Sequence, residues 1–107
     1  MVPLGTRRES MHWREAQDTW FTALRAEGRS TATLDGYRAH LVHFNRFLEG
    51  EGITDIVELS PFHLRRFLVA YADGRSPYSV RTVYGSLRAW FRWLVSEGIL
   101  EEPPTDK

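Results

Sequence analysis

The chain has 107 residues, a formal net charge of zero, four tryptophans and no cysteine. That length fits one domain around one core, and the apolar content excludes wholesale disorder. The missing cysteine excludes disulfides and thiolate metal sites, and no apolar run approaches the roughly 20 residues of a membrane helix, so a soluble protein of a reducing cytoplasm is expected.

Residues 1–10 show no periodicity and no signal-peptide stretch, and they read as an arm. The first helix is expected from about Met11 to Glu27, because Trp13, Ala16, Trp20 and Leu24 recur at helical spacing with Phe21 beside them. Gly28 ends it in a left-handed conformation. Ser30 is the expected N-cap of a second helix, in which Leu34, Tyr37, Leu41, Phe44 and Leu48 form one stripe that stops at Gly50 and Gly52. The connector Ile53-Thr54-Asp55-Ile56-Val57-Glu58-Leu59 tucks apolar residues under the core. A strand there is rejected, because a single short strand has no partner. Ser60-Pro61 reads as N-cap and first residue of a third helix carrying Leu64, Phe67, Leu68 and Tyr71 and ending at Gly74. Ser76-Pro77 repeats that signal for a fourth, with Val80, Val83, Leu87, Trp90, Phe91 and Leu94, stopping at Gly98. Ile99 and Leu100 fold back on the core, Pro103-Pro104 closes the helical region, and residues 101–107 read as a linker. The fold class is all-α, a four-helix bundle of two helical hairpins, with the domain spanning residues 11–100.

The two halves echo each other at an offset of 46 residues. Glu27-Gly28-Arg29-Ser30 matches Asp73-Gly74-Arg75-Ser76, and Phe47-Leu48 with Glu51-Gly52 matches Trp93-Leu94 with Glu97-Gly98. Leu41 falls on Leu87, Phe44 on Trp90 and Arg46 on Arg92. Each hairpin then turns through Gly-Arg-Ser into a helix N-terminus, whose free amides suit a phosphate, with Arg29 and Arg75 beside them. Ordinary turn and cap chemistry explains the same residues.

A neutral sum counts against a nucleic-acid binder, since such domains are usually basic. The distribution is lopsided, however. Residues 75–96 hold Arg75, Arg81, Arg88 and Arg92 and no acid, whereas residues 49–60 hold Glu49, Glu51, Asp55 and Glu58 and no base. Lopsided charge can steer a polyanion to one face. Arg81, Gly85, Arg88 and Arg92 fall on one line of the fourth helix, opposite its apolar stripe. Gly85 weakens that helix by about 1 kcal/mol relative to alanine. It makes sense if something approaches the backbone there, such as a duplex in its major groove; the alternative is a solvated face. The outer face of the second helix carries Asp35, Ala39, Val42 and Arg46, with Arg38 at the margin. Ala39 and Val42 suit either thymine methyl groups or a neighbouring domain.

Several strings together resemble the core-binding, SAM-like N-terminal domain of the tyrosine recombinase (phage integrase) family. They are Ser30, Thr33, Tyr37, Leu41, Phe44 and Phe47-Leu48, then Ile53-Thr54-Asp55-Ile56, Leu59-Ser60-Pro61, Ser76-Pro77-Tyr78-Ser79, Leu87 through Leu94, and Glu97-Gly98-Ile99-Leu100. The chain departs from the family at Pro103-Pro104, where Asn-Pro is common. The resemblance implies a domain that forms a clamp around duplex DNA with a separate C-terminal catalytic domain, its second and fourth helices toward the major groove. Ser30, Thr31, Thr33, Arg38, Ser76, Ser79, Arg81, Thr82, Arg88 and Arg92 then become DNA-contact candidates. It also implies that the first helix meets other recombinase subunits on DNA, with Met11 and Trp13 placed for it, core packing being the other role open to Trp13.

The family's tyrosine nucleophile and its supporting arginine, lysine and histidine belong to the catalytic domain. The expectation is therefore a non-catalytic domain without cofactor. Tyr37 and Tyr71 lie on apolar faces, and Tyr78 and Tyr84 are not nucleophile candidates. His40 and His43 could share a face, but nothing completes a metal site around them, and His12 and His63 stand alone. No P-loop or nucleophile elbow is present. A helical protein-interaction module and a helix-turn-helix regulator built on the last two helices are the alternatives.

Overall fold

Each helix begins where a side chain can satisfy the amides that its first turn leaves unpaired. In a computed structural model, which describes residues 11–106, the helices are α1 (Trp13–Ala26), α2 (Thr31–Gly50), α3 (Pro61–Ala72) and α4 (Pro77–Ser96). Ser30, Ser60 and Ser76 cap α2, α3 and α4, their hydroxyls accepting from the amides of Thr33, His63 and Ser79. Pro61 and Pro77 open α3 and α4, where a missing N–H costs nothing. The expected arm at residues 1–10 lies outside the described residues.

The apolar stripes meet in one core. Phe44 of α2 sits within it, its ring edge-on to Phe67 of α3 at 5.0 Å, and to Trp90 and Phe91 of α4 at 6.5 and 6.1 Å. Trp13, Trp20 and Leu24 of α1 are buried beside Leu41, Leu48, Leu87 and Leu94. Tyr37 and Tyr71 are half-buried against this core, as their apolar faces predict. Ile99 packs on it and Leu100 is buried. After Pro103, a 3-10 turn at Pro104–Asp106 packs against α3 and α4, and the Tyr84 hydroxyl donates to the Thr105 carbonyl at 2.7 Å.

The start of α1 differs from the expectation. The helix begins at Trp13, not Met11, and His12 is its cap, with Nδ1 accepting from the Arg14 amide at 3.0 Å. Residues 11–13 instead pair with the connector: Trp13 N–H donates to the Thr54 carbonyl and Ile56 N–H to the Met11 carbonyl, a single antiparallel bridge between His12 and Asp55. The connector thus has a partner, but only one bridge long, and it continues into a 3-10 turn at Ile56–Glu58 closed by reciprocal bonds between Asp55 and Glu58. Ile53, Ile56 and Leu59 tuck under the core as expected. The Trp13 indole N–H donates to the Ile53 carbonyl at 2.7 Å and its ring is 1% exposed, which makes Trp13 a core residue and not a surface for a neighbouring subunit.

The internal echo is present in the fold of α2 and α4, with one exception. Both α2 and α4 are 20 residues long. They end alike: Gly52 and Gly98 have φ of 71° and 78°, and Ile53 and Ile99 donate back to the carbonyls of Leu48 and Leu94. The Gly-Arg-Ser turns, by contrast, take different paths. After α1, Glu27 is helical and Arg29 N–H reaches back to the Leu24 carbonyl. After α3, Asp73 is extended (φ −62°, ψ 118°), Gly74 is left-handed, and Arg75 N–H donates to Ala72, a type II turn.

Candidate nucleic-acid interface

The outer face of α4 carries Arg81, Gly85, Arg88 and Arg92, all exposed, while Val83, Leu87, Trp90 and Leu94 are at most 1% exposed on the opposite side. Arg81 and Arg92 have no ion pair with any carboxylate among the described residues. A Cβ built on Gly85 meets nothing within 4 Å, so no packing inside the domain requires a glycine there. The helix tolerates its weakest ordinary residue at a point that faces outward between arginines.

Acids of the 49–60 stretch have partners outside α4. Glu49 pairs with Arg14 of α1. Glu51 accepts two bonds from Arg66 of α3, at 2.6 and 3.1 Å, and the Arg66 hydrogen bond holds its carboxyl below the usual range. Asp55 accepts from the Val57 amide, and Glu58 from the amides of Thr54 and Asp55. These acids are spent on the connector and on cations of other helices.

Where α2 and α4 cross, two pairs stand 46 residues apart. His40 Nδ1 and Ser86 Oγ are joined by a 2.6 Å hydrogen bond, and Phe44 meets Trp90 one turn deeper. The two contacts lie one turn apart on each helix. His40, Tyr71, Tyr78, Ser79, Thr82 and Val83 line a small cleft beside the crossing.

A sequence profile described as phage integrase, N-terminal SAM-like domain, matches residues 18–98. The chain belongs to that family. Two tyrosine recombinases named XerC are similar to this integrase domain: one from Chromohalobacter salexigens, 40% identical over 76 residues, and one from Azotobacter vinelandii, 33% identical over 89. The alignments cover 70% and 81% of this chain but only 26% and 30% of those proteins, so the chain spans less than a third of their length. The crystal structure of an N-terminal domain of a phage integrase/site-specific recombinase from Haloarcula marismortui superimposes with a TM-score of 0.81. It covers 91% of this chain and 94% of that one at 24% identity, which shows a shared fold.

Within the integrase domain the candidate residues divide into groups. Arg81, Arg88 and Arg92 share the α4 line, and Thr82 lies beside the α2–α4 cleft, its hydroxyl donating to the Tyr78 carbonyl at 2.8 Å. Ser30 with Thr33, and Ser76 with Ser79, form hydroxyl pairs at 3.0 and 3.1 Å on the two helix N-termini; Thr31 is exposed next to the first. Arg29 lies 3.6 Å from Glu27 in its turn. Arg38 is drawn to the other side of α2, its Cζ 4.4 Å over the Phe21 ring of α1 and its guanidinium 4.0 Å from Asp35. Arg75 is laid over Tyr71, with Cζ at 4.0 Å from the ring centre, and donates to the Tyr71 carbonyl at 3.0 Å. Val42 is 43% exposed beside Arg38, in a cleft shared with Gln17, Asp18 and Phe21. The residue pattern did not bring out the His40–Ser86 bond, although the repeat offset itself pairs these two positions.

Proposed function

We propose that this chain is the non-catalytic, DNA-gripping part of a tyrosine site-specific recombinase, with α2 and α4 toward the duplex. On this reading residues 11–100 are the core-binding unit, and residues 101–107 lead toward a catalytic domain that supplies the nucleophile. Other recombinase subunits are its neighbours on DNA, and the bacterial or archaeal cytoplasm is its compartment. Among the described residues no helix is long and apolar enough to cross a membrane. The observation that carries the reading is the line Arg81, Gly85, Arg88 and Arg92, exposed together on α4, with Arg81 and Arg92 in no ion pair with a carboxylate among the described residues. Arginine forks suit guanine edges or phosphates, and the serine-capped helix starts suit phosphates. Part of a clamp makes part of its contacts, so the isolated chain should bind weakly and lose affinity steeply with salt. Titration of a labelled duplex at two ionic strengths tests this. Association that ignores salt, or none at low ionic strength and high protein concentration, refutes it.

A second reading has its own observation. Phe62 and Val69 of α3 are 60% and 76% exposed and form an apolar patch with Ala70 and the stems of Arg65 and Arg66. Such a patch favours contact with protein. Sedimentation that shows self-association, unchanged by charge reversal at Arg81 and Arg88, would favour it over the first.

A further inference from the structure

His43 has no role in the interface described so far. It lies on the outer part of α2, half-buried, with its ring 5.1 Å from Tyr71 of α3. Arg75 is held over the same tyrosine by its ring contact and its bond to the Tyr71 carbonyl. That bond occupies one nitrogen of a fork with five N–H donors. Arg46 is exposed, nearly a turn beyond His43 on α2, and has no ion pair among the described residues. It is also the position that the repeat matches to Arg92.

The guanidiniums that act on His43 are those of Arg75 and Arg46, with the His40 ring nearly a turn away on α2. From α3 the facing titratable group is Tyr71; on α4, Ser86 bonds to His40, and Tyr78 lines the cleft that His40 and Tyr71 share. Burial first, and then these cations, hold the imidazole below its ordinary value. His43 and Arg75 thus share Tyr71 as a neighbour, and Arg46 follows His43 by three residues on α2. The turn that carries Arg75 also starts α4, so the cluster adjoins the N-terminus capped by Ser76.

We propose that Arg46, Arg75 and His43 form a site for a backbone phosphate of duplex DNA, and that filling it draws a proton from solvent onto His43. This rests on the reading of α2 and α4 as the duplex-facing pair. A phosphodiester brings one negative charge and acceptor oxygens, which the guanidiniums grip and the imidazolium reaches with an N–H. The anion offsets the cationic part of what keeps His43 neutral, while burial still opposes the charge, so the charged imidazole gains ground when the phosphate is bound. By linkage, the phosphate then binds more tightly as pH falls.

The test follows the His43 imidazole by NMR against pH, in the whole chain, with no addition, with a duplex and with inorganic phosphate. Duplex affinity is measured in parallel for the wild type and His43→Gln between about pH 8 and 5.5. The duplex should raise the His43 midpoint. Wild-type affinity should climb on acidification by at most about tenfold per pH unit, the limit for one linked proton. His43→Gln should show a flatter rise in affinity on acidification than the wild type, lacking the part linked to the His43 proton. Arg46→Gln should weaken binding severalfold and abolish the midpoint shift. Duplex binding with an unmoved midpoint and superimposable pH profiles overturns the site and leaves the DNA-binding reading standing. No binding at any pH overturns both. A midpoint raised as far by inorganic phosphate as by duplex overturns the assignment to the nucleic-acid backbone.

Discussion

Replacing Arg81 and Arg92 together by glutamine tests the interface where the geometry is clearest. Both side chains are exposed on one line of α4 and neither has an ion pair with a described carboxylate, so each can neutralise a phosphate. Each lost phosphate contact lowers the slope of log affinity against log salt by about 0.9, so the double variant should lose about 1.8. Over a fourfold change in salt, that slope corresponds to a factor of about 12 in affinity that the wild type loses and the variant does not. Folding should barely change, because exposed substitutions of this kind usually shift stability by less than about 0.5 kcal/mol. Fluorescence anisotropy with a labelled duplex across a salt series gives the slopes, and urea unfolding gives the stability. Arg38→Gln is the internal control. Its guanidinium is held between Phe21 and Asp35 on the α1 side of α2, so the slope should stay near wild type while about 0.5–1 kcal/mol of cation–π stabilisation is lost. A double variant with the wild-type slope, or a slope that drops with Arg38→Gln instead, refutes the assignment of the α4 line to phosphate.

Further substitutions probe the fold and the site separately. Gly85→Ala should stabilise the domain by about 1 kcal/mol, since the added methyl meets nothing within 4 Å, and should weaken duplex binding by holding the backbone off; thermal unfolding and anisotropy read the two effects. Trp13→Phe should cost about 1–3 kcal/mol for the Ile53 carbonyl left without its donor, plus a cavity contribution from the smaller ring, measured by chemical unfolding followed by circular dichroism. His43 is held below its ordinary value of 6.5, so the unfolded chain binds its proton first on acidification. The stability it contributes is therefore complete above about pH 6.5 and is lost as pH falls toward the folded-state value. Urea titrations at neutral and acidic pH should show the wild type losing more stability than His43→Gln.

The helices that carry local start and stop chemistry were legible in the residues. Ser30, Ser60-Pro61 and Ser76-Pro77 set three N-termini without reference to the rest of the chain, and the line of arginines on α4 follows from period alone. The start of α1 was not legible, because it depends on pairing with a connector more than forty residues away, and a histidine cap carries little local signal. The two Gly-Arg-Ser turns look alike in sequence, yet they differ in backbone because one follows a helical Glu27 and the other an extended Asp73. The division of the arginines was hidden for the same kind of reason. Whether Arg38 faces the α4 side or α1 is decided by Phe21, a neighbour that only the packing supplies.

The crossing of α2 and α4 has a consequence for how such a bundle can originate. Two halves whose second helices share length, serine cap and exit turn, and touch at equivalent positions, could be assembled from a single hairpin used twice. In that ancestor each residue at the axis would face its own duplicate, a phenylalanine against a phenylalanine or a histidine against a histidine. Here the contact holds Phe44 against Trp90 and His40 against Ser86, so the two hairpins are no longer interchangeable where they meet.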